Sequence, residues 1–276
     1  MEQVPENQIQ FEVYCKKFFK HLKDIAGVVC TSCGHKDARF IEKEEVYRCN
    51  NCHHRISIKC GTVMQSSRLP YSVWYRAFEL ISAMKKSTSA VELMEHLGVK
   101  TYKTVHLLMH KIRHIMSKAE IERISNQLDE YKRIRCSISV RQKRDKKHRK
   151  NTNIQTYLIR NERGSSGFFQ ISWISVKDLK CWKPAKNAVN GYARSHSWTQ
   201  RVVKSTMRLN KSHIKSWIRK HLDNLEKNLK GIHHGVSEKY RQLYLDEFSY
   251  RTNLSMAGVN MFNDLTMRCM SDVWYR

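Results

Sequence analysis

The chain has 276 residues, 41% of them hydrophobic, which is enough to build a real core, and it carries 51 Lys plus Arg against 25 Asp plus Glu, net +26. No run approaches the roughly 18 to 20 apolar residues that cross a bilayer, and the polar Met1–Gln10 stretch lacks a secretory core, so a soluble intracellular protein is expected, in cytoplasm or nucleoid (nucleus in a eukaryote). A balance this basic favours a polyanionic partner, nucleic acid before an anionic membrane, because the cations spread along the chain and do not gather on one amphipathic helix.

Taken in chain order, residues 11–25 put Phe11, Tyr14, Cys15, Phe18 and Leu22 on one face at helical spacing, which predicts a helix lying against the neighbouring cysteine-rich segment. Cys15 lies on that stripe and reads as a small core residue. Next come Cys30, Cys33, Cys49 and Cys52: a C-x2-C, fifteen residues, and a second C-x2-C. Two knuckles at this separation can set four thiolates tetrahedrally around one Zn2+. Val46-Tyr47-Arg48 and Arg55-Ile56-Ser57-Ile58 read as short strands, so the unit is expected to be a zinc ribbon. Disulfides fit poorly, since the cysteine total of nine is odd and no secretory segment precedes them. Four cysteines fill a structural site, which leaves His53 and His54 out of the ligand set, and Cys60 is taken as structural.

After Leu69-Pro70, residues 71–86 carry Val73, Trp74, Phe78, Ile81 and Met84 at core spacing. Ser89-x-x-Glu92 is a capping box for a second helix burying Ala90, Leu93, Met94 and Leu97, and Gly98 ends it. A third helix from about Lys100 to Lys118 buries Val105, Leu108, Ile112 and Ile115. A short helix, a tight turn and a longer helix predict a helix-turn-helix, in which Lys100, Thr101, Tyr102, Lys103, Thr104 and His106 would face the major groove. Three-helix units also occur as plain packing modules; the basic composition and the adjoining ribbon weigh toward DNA.

Residues 133–153 are the best linker candidate. Within them Arg141–Lys150 holds seven Lys or Arg and one acid, either a solvated loop or a phosphate-contacting arm. Residues 152–159 and 168–176 are β-rich, residues 210–230 form an amphipathic pattern through Ile214, Trp217, Ile218, Leu222 and Leu225, and residues 237–253 another through Tyr240, Leu243, Tyr244 and Phe248. The expected class is α+β multidomain: helix and ribbon over 1–66, helix-turn-helix over 67–120, and a mixed domain over 121–276.

Several of these segments resemble a known family. Gly27-Val28-Val29-Cys30-x-x-Cys33-Gly34, Tyr47-Arg48-Cys49-x-x-Cys52 and Gly61-Thr62-Val63 are similar to the zinc ribbon of bacterial insertion-sequence transposases related to the Merlin transposons. Leu69-Pro70-x-x-x-Trp74 and Leu97-Gly98-Val99-x-x-x-Lys103-Thr104 resemble that family's helix-turn-helix. Leu229-Lys230-Gly231-Ile232-His233-His234-Gly235-Val236-Ser237 and Tyr244-Leu245-Asp246-Glu247-Phe248-x-x-Arg251-x-Asn253 resemble its closing signature. The resemblance implies a ribonuclease-H-like DDE core, catalytic Mg2+ beside structural Zn2+, and a homodimer on double-stranded DNA at the element ends. It places Asp129, in Leu128-Asp129-Glu130-Tyr131, as the first metal ligand. The second carboxylate register falls on Lys180, with Asp178 two residues upstream as the substitute, and the third falls on Arg219. A cation repels a metal where a ligand should stand. The implied function is therefore a DNA transposase that cuts and joins DNA, or an inactivated or repurposed copy that binds DNA without cutting. An RNA-binding ribbon protein is a third possibility.

Overall fold

The computed structural model describes residues 7–84, 86–126, 131–138, 153–161, 168–174, 179–180 and 183–184, and, within the C-terminal part, residues 220–221, 223–225, 227–229, 231–233 and 236–271. The chain divides into two compact units, Met1–Ile115 with Asn260–Arg276, and Met116–Val259. Both mix helices with small antiparallel sheets, so the class is α+β.

The first unit begins with helix α1 (Gln8–Ala26), whose N-terminus is closed by the Asn7 side chain accepting from Ile9 N–H at 3.0 Å. Its buried stripe is Phe11, Cys15, Phe19 and Leu22; Tyr14 and Phe18 sit at the margin. Burial pushes the Cys15 thiol up to about 12, with the Glu12 carboxylate adding to it, so this sulfur behaves as an inert core group. Three short strands come next: β1 (Ala38–Ile41), β2 (Val46–Cys49) and β3 (Arg55–Ile56), antiparallel in that order. Register pairs Phe40 with Tyr47 and Tyr47 with Ile56, which makes one apolar face. That face lies on α1. Tyr47 Oη donates to Asp24 Oδ1 at 2.6 Å, and Lys20 Nζ stands 4.5 Å above the Phe40 ring. Burial and the Asp24 carboxylate together hold the Tyr47 hydroxyl far above its usual range.

Residues 57–69 form turns with no strand or helix, and their carbonyls take donors from three lysines. Lys23, 3% exposed, donates to Cys60 O. Lys59 donates to Ser67 O at 3.4 Å and to Leu69 O, and stands 4.6 Å over the Tyr71 ring. Lys111, 5% exposed, reaches Val63 O at 3.1 Å and Gln65 O at 2.8 Å. Burial draws the Lys23 and Lys59 ammoniums below their ordinary pKa values, the expected sign for a desolvated cation.

Helix α2 (Tyr71–Ala83) buries Trp74, Tyr75, Ala77, Phe78 and Ile81, matching the predicted face except that Val73 and Met84 are only half-buried. Helix α3 (Ala90–Leu97) has the reciprocal Ser89–Glu92 capping box, and Gly98, at φ 62, ends it with Val99 N–H returning to Met94 O. Helix α4 (Tyr102–Asn126) is longer than the spacing suggests, and Val105, Leu108, Ile112 and Ile115 are all buried as expected.

The second unit holds the antiparallel sheet of β4 (Tyr131–Ile138), β5 (Asn153–Asn161) and β6 (Phe168–Ile174), and the short pair β7 (Leu179–Lys180) and β8 (Lys183–Pro184). Residues 133–138 of the predicted linker are thus strand. Ile134, Cys136 and Ile138 alternate with polar residues there, a period-2 signal overshadowed by the basic run after it. Helix α5 (Glu238–Ala257) packs on β6. The described residues of 220–231 are mostly helical, with Leu225 buried. The rest of the predicted 210–230 helix lies outside the described residues. Helix α6 (Met261–Ser271) belongs to the first unit: Phe262 meets the rings of Phe18 and Tyr75, and Val63 N–H donates to Cys269 O at 3.1 Å.

The start of α2 is capped from a distance. Pro70 offers no capping side chain, and the Glu12 carboxylate of α1 accepts from Tyr71 N–H at 2.8 Å and Ser72 N–H at 2.7 Å instead. Burial raises the Glu12 pKa, but hydrogen bonds from Ser72 and Tyr71 and the charge of Lys59 outweigh it, so the net shift is downward. A depressed carboxylate contributes its full stability above its unfolded pKa and loses it as pH falls through the folded value. Glu12→Ala is therefore expected to cost about 1–2 kcal/mol at neutral pH. Glu12→Gln should flatten the acid limb of the thermal melting profile below the usual carboxylate range. Identical acid limbs for wild type and Glu12→Gln would count against the cap.

Candidate functional site

The two cysteine knuckles are built alike. Cys30 N–H donates to His35 O at 2.8 Å and Cys49 N–H to His54 O at 3.0 Å. Gly34 N–H returns to Cys30 O at 2.9 Å and His53 N–H to Cys49 O at 3.1 Å. The residue after the second cysteine of each pair turns left-handed, Gly34 at φ 73 and His53 at φ 58. A histidine in that region is uncommon and carries strain, so the turn is enforced by the rest of the knuckle.

These turns bring the four sulfurs within 4.8 Å of one another, with Cys30 Sγ to Cys52 Sγ at 3.5 Å and Cys33 Sγ to Cys49 Sγ at 3.6 Å. Tetrahedral zinc with Zn–S bonds of about 2.3 Å spaces its sulfurs about 3.8 Å apart. The donor set therefore fits zinc. Backbone N–H groups of Cys33 and Ser32 aim at Cys30 and draw its thiol down to about 7; those of Cys52 and Asn51 lower Cys49 in the same way. Although the His54 N–H favours its thiolate, Cys52 is pushed up to about 12 by its hydrogen bonding with Cys33, by burial, and by Cys30 and Cys49 beside it. Ionising all four sulfurs at once needs a cation among them. Cys60 Sγ stands 3.5 Å from Thr31 Oγ1, beside the knuckle and outside the four-sulfur cluster.

The residues expected at the DNA lie together at the start of α4. Lys100, Thr101, Tyr102 and Lys103 are exposed, while Thr104 and His106 are half-buried. Thr101 O accepts from Thr104 N–H at 3.1 Å and Val105 N–H at 3.4 Å, so Thr101 opens the helix. No acid occupies the first turn, which leaves the positive helix end and two ammoniums facing outward. The Tyr102 ring stands 5.7 Å from His106, and His106 6.0 Å from His110. Burial lowers the His110 pKa, with His106, Arg113 and His114 acting in the same direction.

Asp129, Asp178, Arg219 and the Arg141–Lys150 run lie outside the described residues; Lys180 is on β7. The acids of the closing signature are described, and they serve packing within the second unit. Asp246 accepts from Ser117 Oγ at 2.6 Å and Gln242 Nε2 at 2.8 Å, Arg251 pairs with Glu247 at 3.0 Å, and Asn253 donates to Glu120. Asp246, Glu247, Asn253 and Glu120 are all buried. Sequence spacing alone puts Tyr240, Leu243, Tyr244 and Phe248 on the inner face of α5, yet these are half-buried, and Leu245, Ser249, Tyr250 and Leu254 lie deeper. Buried polar side chains defeat a reading based on apolar periodicity.

Residues 186–253 match the family model of the ISXO2-like transposase domain. The match supports an insertion-sequence transposase. It ends on Asn253, the last residue of the closing signature, and includes the helical residues of 220–231 and most of α5. No curated protein and no solved structure matches the chain. Among the described residues no helix is long and apolar enough to cross a membrane.

The purified protein should carry one zinc per chain, and cobalt substitution should give the thiolate charge-transfer absorption of a four-sulfur site. Cys49→Ser should abolish that absorption. Because metal binding contributes on the order of 10 kcal/mol to so small a unit, chelation should expose the amides of residues 27–60 to hydrogen exchange before those of α2 and α4. Uniform loss of protection across the first unit would argue against a metal-held ribbon.

Proposed function

We propose that the protein is an insertion-sequence transposase that grips duplex DNA through the start of α4 and the ribbon, and holds a metal-dependent cutting and joining site in its C-terminal part. The observation that carries this reading is the match of residues 186–253 to the ISXO2-like transposase domain. The fit of four thiolates to zinc and the acid-free, cationic start of α4 support the DNA-binding half.

In this reading residues 1–66 are the helix and zinc ribbon, 67–120 a helix-turn-helix, and 121–276 a ribonuclease-H-like DDE domain. The antiparallel β4–β5–β6 sheet covered by α5 on β6 supports the last assignment. The partners are double-stranded DNA at the element ends and a second copy of the chain. Lys100 and Lys103 neutralise phosphates, and Thr101, Tyr102, Thr104 and His106 reach base edges. Asp129 and Asp178 are the carboxylates assigned to Mg2+. When bound, the metal pair supplies charge stabilisation at the attacking and leaving oxygens of phosphoryl transfer.

One observation favours a second reading, DNA binding without cutting. Lys180, on β7, occupies the register where the resemblance expects the second acid, and a cation there opposes a metal.

Affinity for terminal-repeat duplex should fall steeply with salt as bound counterions are released, and Lys100→Ala with Lys103→Ala should reduce the slope of log K against log salt by about 2. Asp129→Ala should abolish Mg2+-dependent strand transfer and leave gel-shift affinity unchanged. A wild-type protein that shifts duplex but never nicks it, with Mg2+ or Mn2+, would select the second reading.

A further inference from the structure

We propose that the outer face of the ribbon sheet is a second grip on the DNA phosphate backbone, formed by a row of Arg39, Arg48 and Arg55; this rests on the DNA-binding reading above and names the ribbon residues that carry it. The row is a product of register. Arg39 pairs with Arg48 across β1 and β2, and Arg48 pairs with Arg55 across β2 and β3. Residues directly opposite in an antiparallel sheet share a face, so the three arginine side chains leave the sheet on the same side. Tyr47, the neighbour of Arg48, points the other way, into α1.

Like charges directly opposite one another destabilise a sheet, and nothing in so short a ribbon requires them for packing. Of the acids nearby, one offsets a member of the row and leaves the other two. Glu44 pairs with Arg55, Glu45 pairs with Lys16, and Glu42 acts on Tyr47. Arg39 and Arg48 have no ion pair among the described residues, and Arg48 Nε is buried without a hydrogen-bond partner.

The acceptor that fits is a line of phosphates. Strands about 4.8 Å apart make the row about 10 Å long. Duplex DNA advances about 3.4 Å along its axis for each phosphate of one strand, so a row laid along the axis passes about three of them. Guanidinium forks bind phosphate through two parallel donors. The exposed Arg55–Glu44 pair is of the kind that contributes little and yields readily to a phosphate. Contacts of this type carry no base information, so the row adds affinity and register but no sequence preference.

The test uses the full chain loaded with zinc, and fluorescence anisotropy on terminal-repeat and scrambled duplexes over a range of salt. Arg39→Ala/Arg48→Ala/Arg55→Ala should lower affinity for both duplexes by a similar factor of ten or more, reduce the salt slope by about 2 to 3, and leave the ratio between the duplexes unchanged. The matching Lys triple should recover most of the slope. Glu44→Gln, a surface change that spares the fold, should tighten binding to both duplexes several-fold. Cobalt absorption confirms that each variant keeps its metal site. If the alanine triple does not fold, the Glu44→Gln result decides. A folded alanine triple with wild-type affinity and slope, or a Glu44→Gln variant without tighter binding, overturns the proposal while the Lys100 and Lys103 result stands. A wild-type chain that binds no duplex overturns the DNA reading itself, and row-dependent binding to RNA or an acidic peptide in place of duplex overturns the choice of partner.

Discussion

Four thiolates within 4.8 Å of one another would repel, and a divalent cation, which this donor set fits, would convert that repulsion into the tightest constraint in the first unit. Strands of four, four and two residues cannot hold a sheet by their own hydrogen bonds. The ribbon is held at one end by its sulfurs and on one face by α1, where the Tyr47 hydroxyl on Asp24 and the Lys20 ammonium over Phe40 lock the apolar side down. What remains is the other face. Its composition is free to answer a partner and not the core.

The basic character of the chain has an interior share as well as an exterior one. Lys23 and Lys111, from α1 and α4, and Lys59 from within place their charge on carbonyls of residues 57–69, a stretch that makes no strand or helix. The aliphatic stems of these lysines pack while the ammoniums serve as long-range caps. Net charge therefore overstates the cations available to a polyanion. Among the described residues, exposed cations without an ion pair include Lys100 just before α4, Lys103 on α4 and Arg39 of the ribbon.

Features set by neighbours a few residues apart were legible in the sequence. The C-x2-C spacing gave the sulfur cluster, Ser89 with Glu92 gave the start of α3, and Gly98 gave its end. Apolar periodicity gave the inner faces of α1, α2 and α4. Features set by distant partners were not legible. Glu12 caps a helix about sixty residues away in the chain, α6 packs with α1 and α2, and the arginine row exists only through pairing register. Helix α5 was misread for a different reason: its deepest residues include Asp246, Glu247, Ser249 and Asn253, whose burial is offset by partners on α4 and along α5 itself. The expected catalytic acids fall outside the described residues.

The return of α6 to the first unit has a consequence for how the protein comes into being. Phe262 fills the ring cluster of Phe18 and Tyr75, and Cys269 supplies the carbonyl for Val63 N–H, so the unit that starts the chain lacks one wall until its last helix has left the ribosome. During translation the N-terminal helices wait with an open apolar side while about 145 intervening residues are added, and only then can the unit close. A nascent chain of this design can close its N-terminal unit only after the intervening unit has been made.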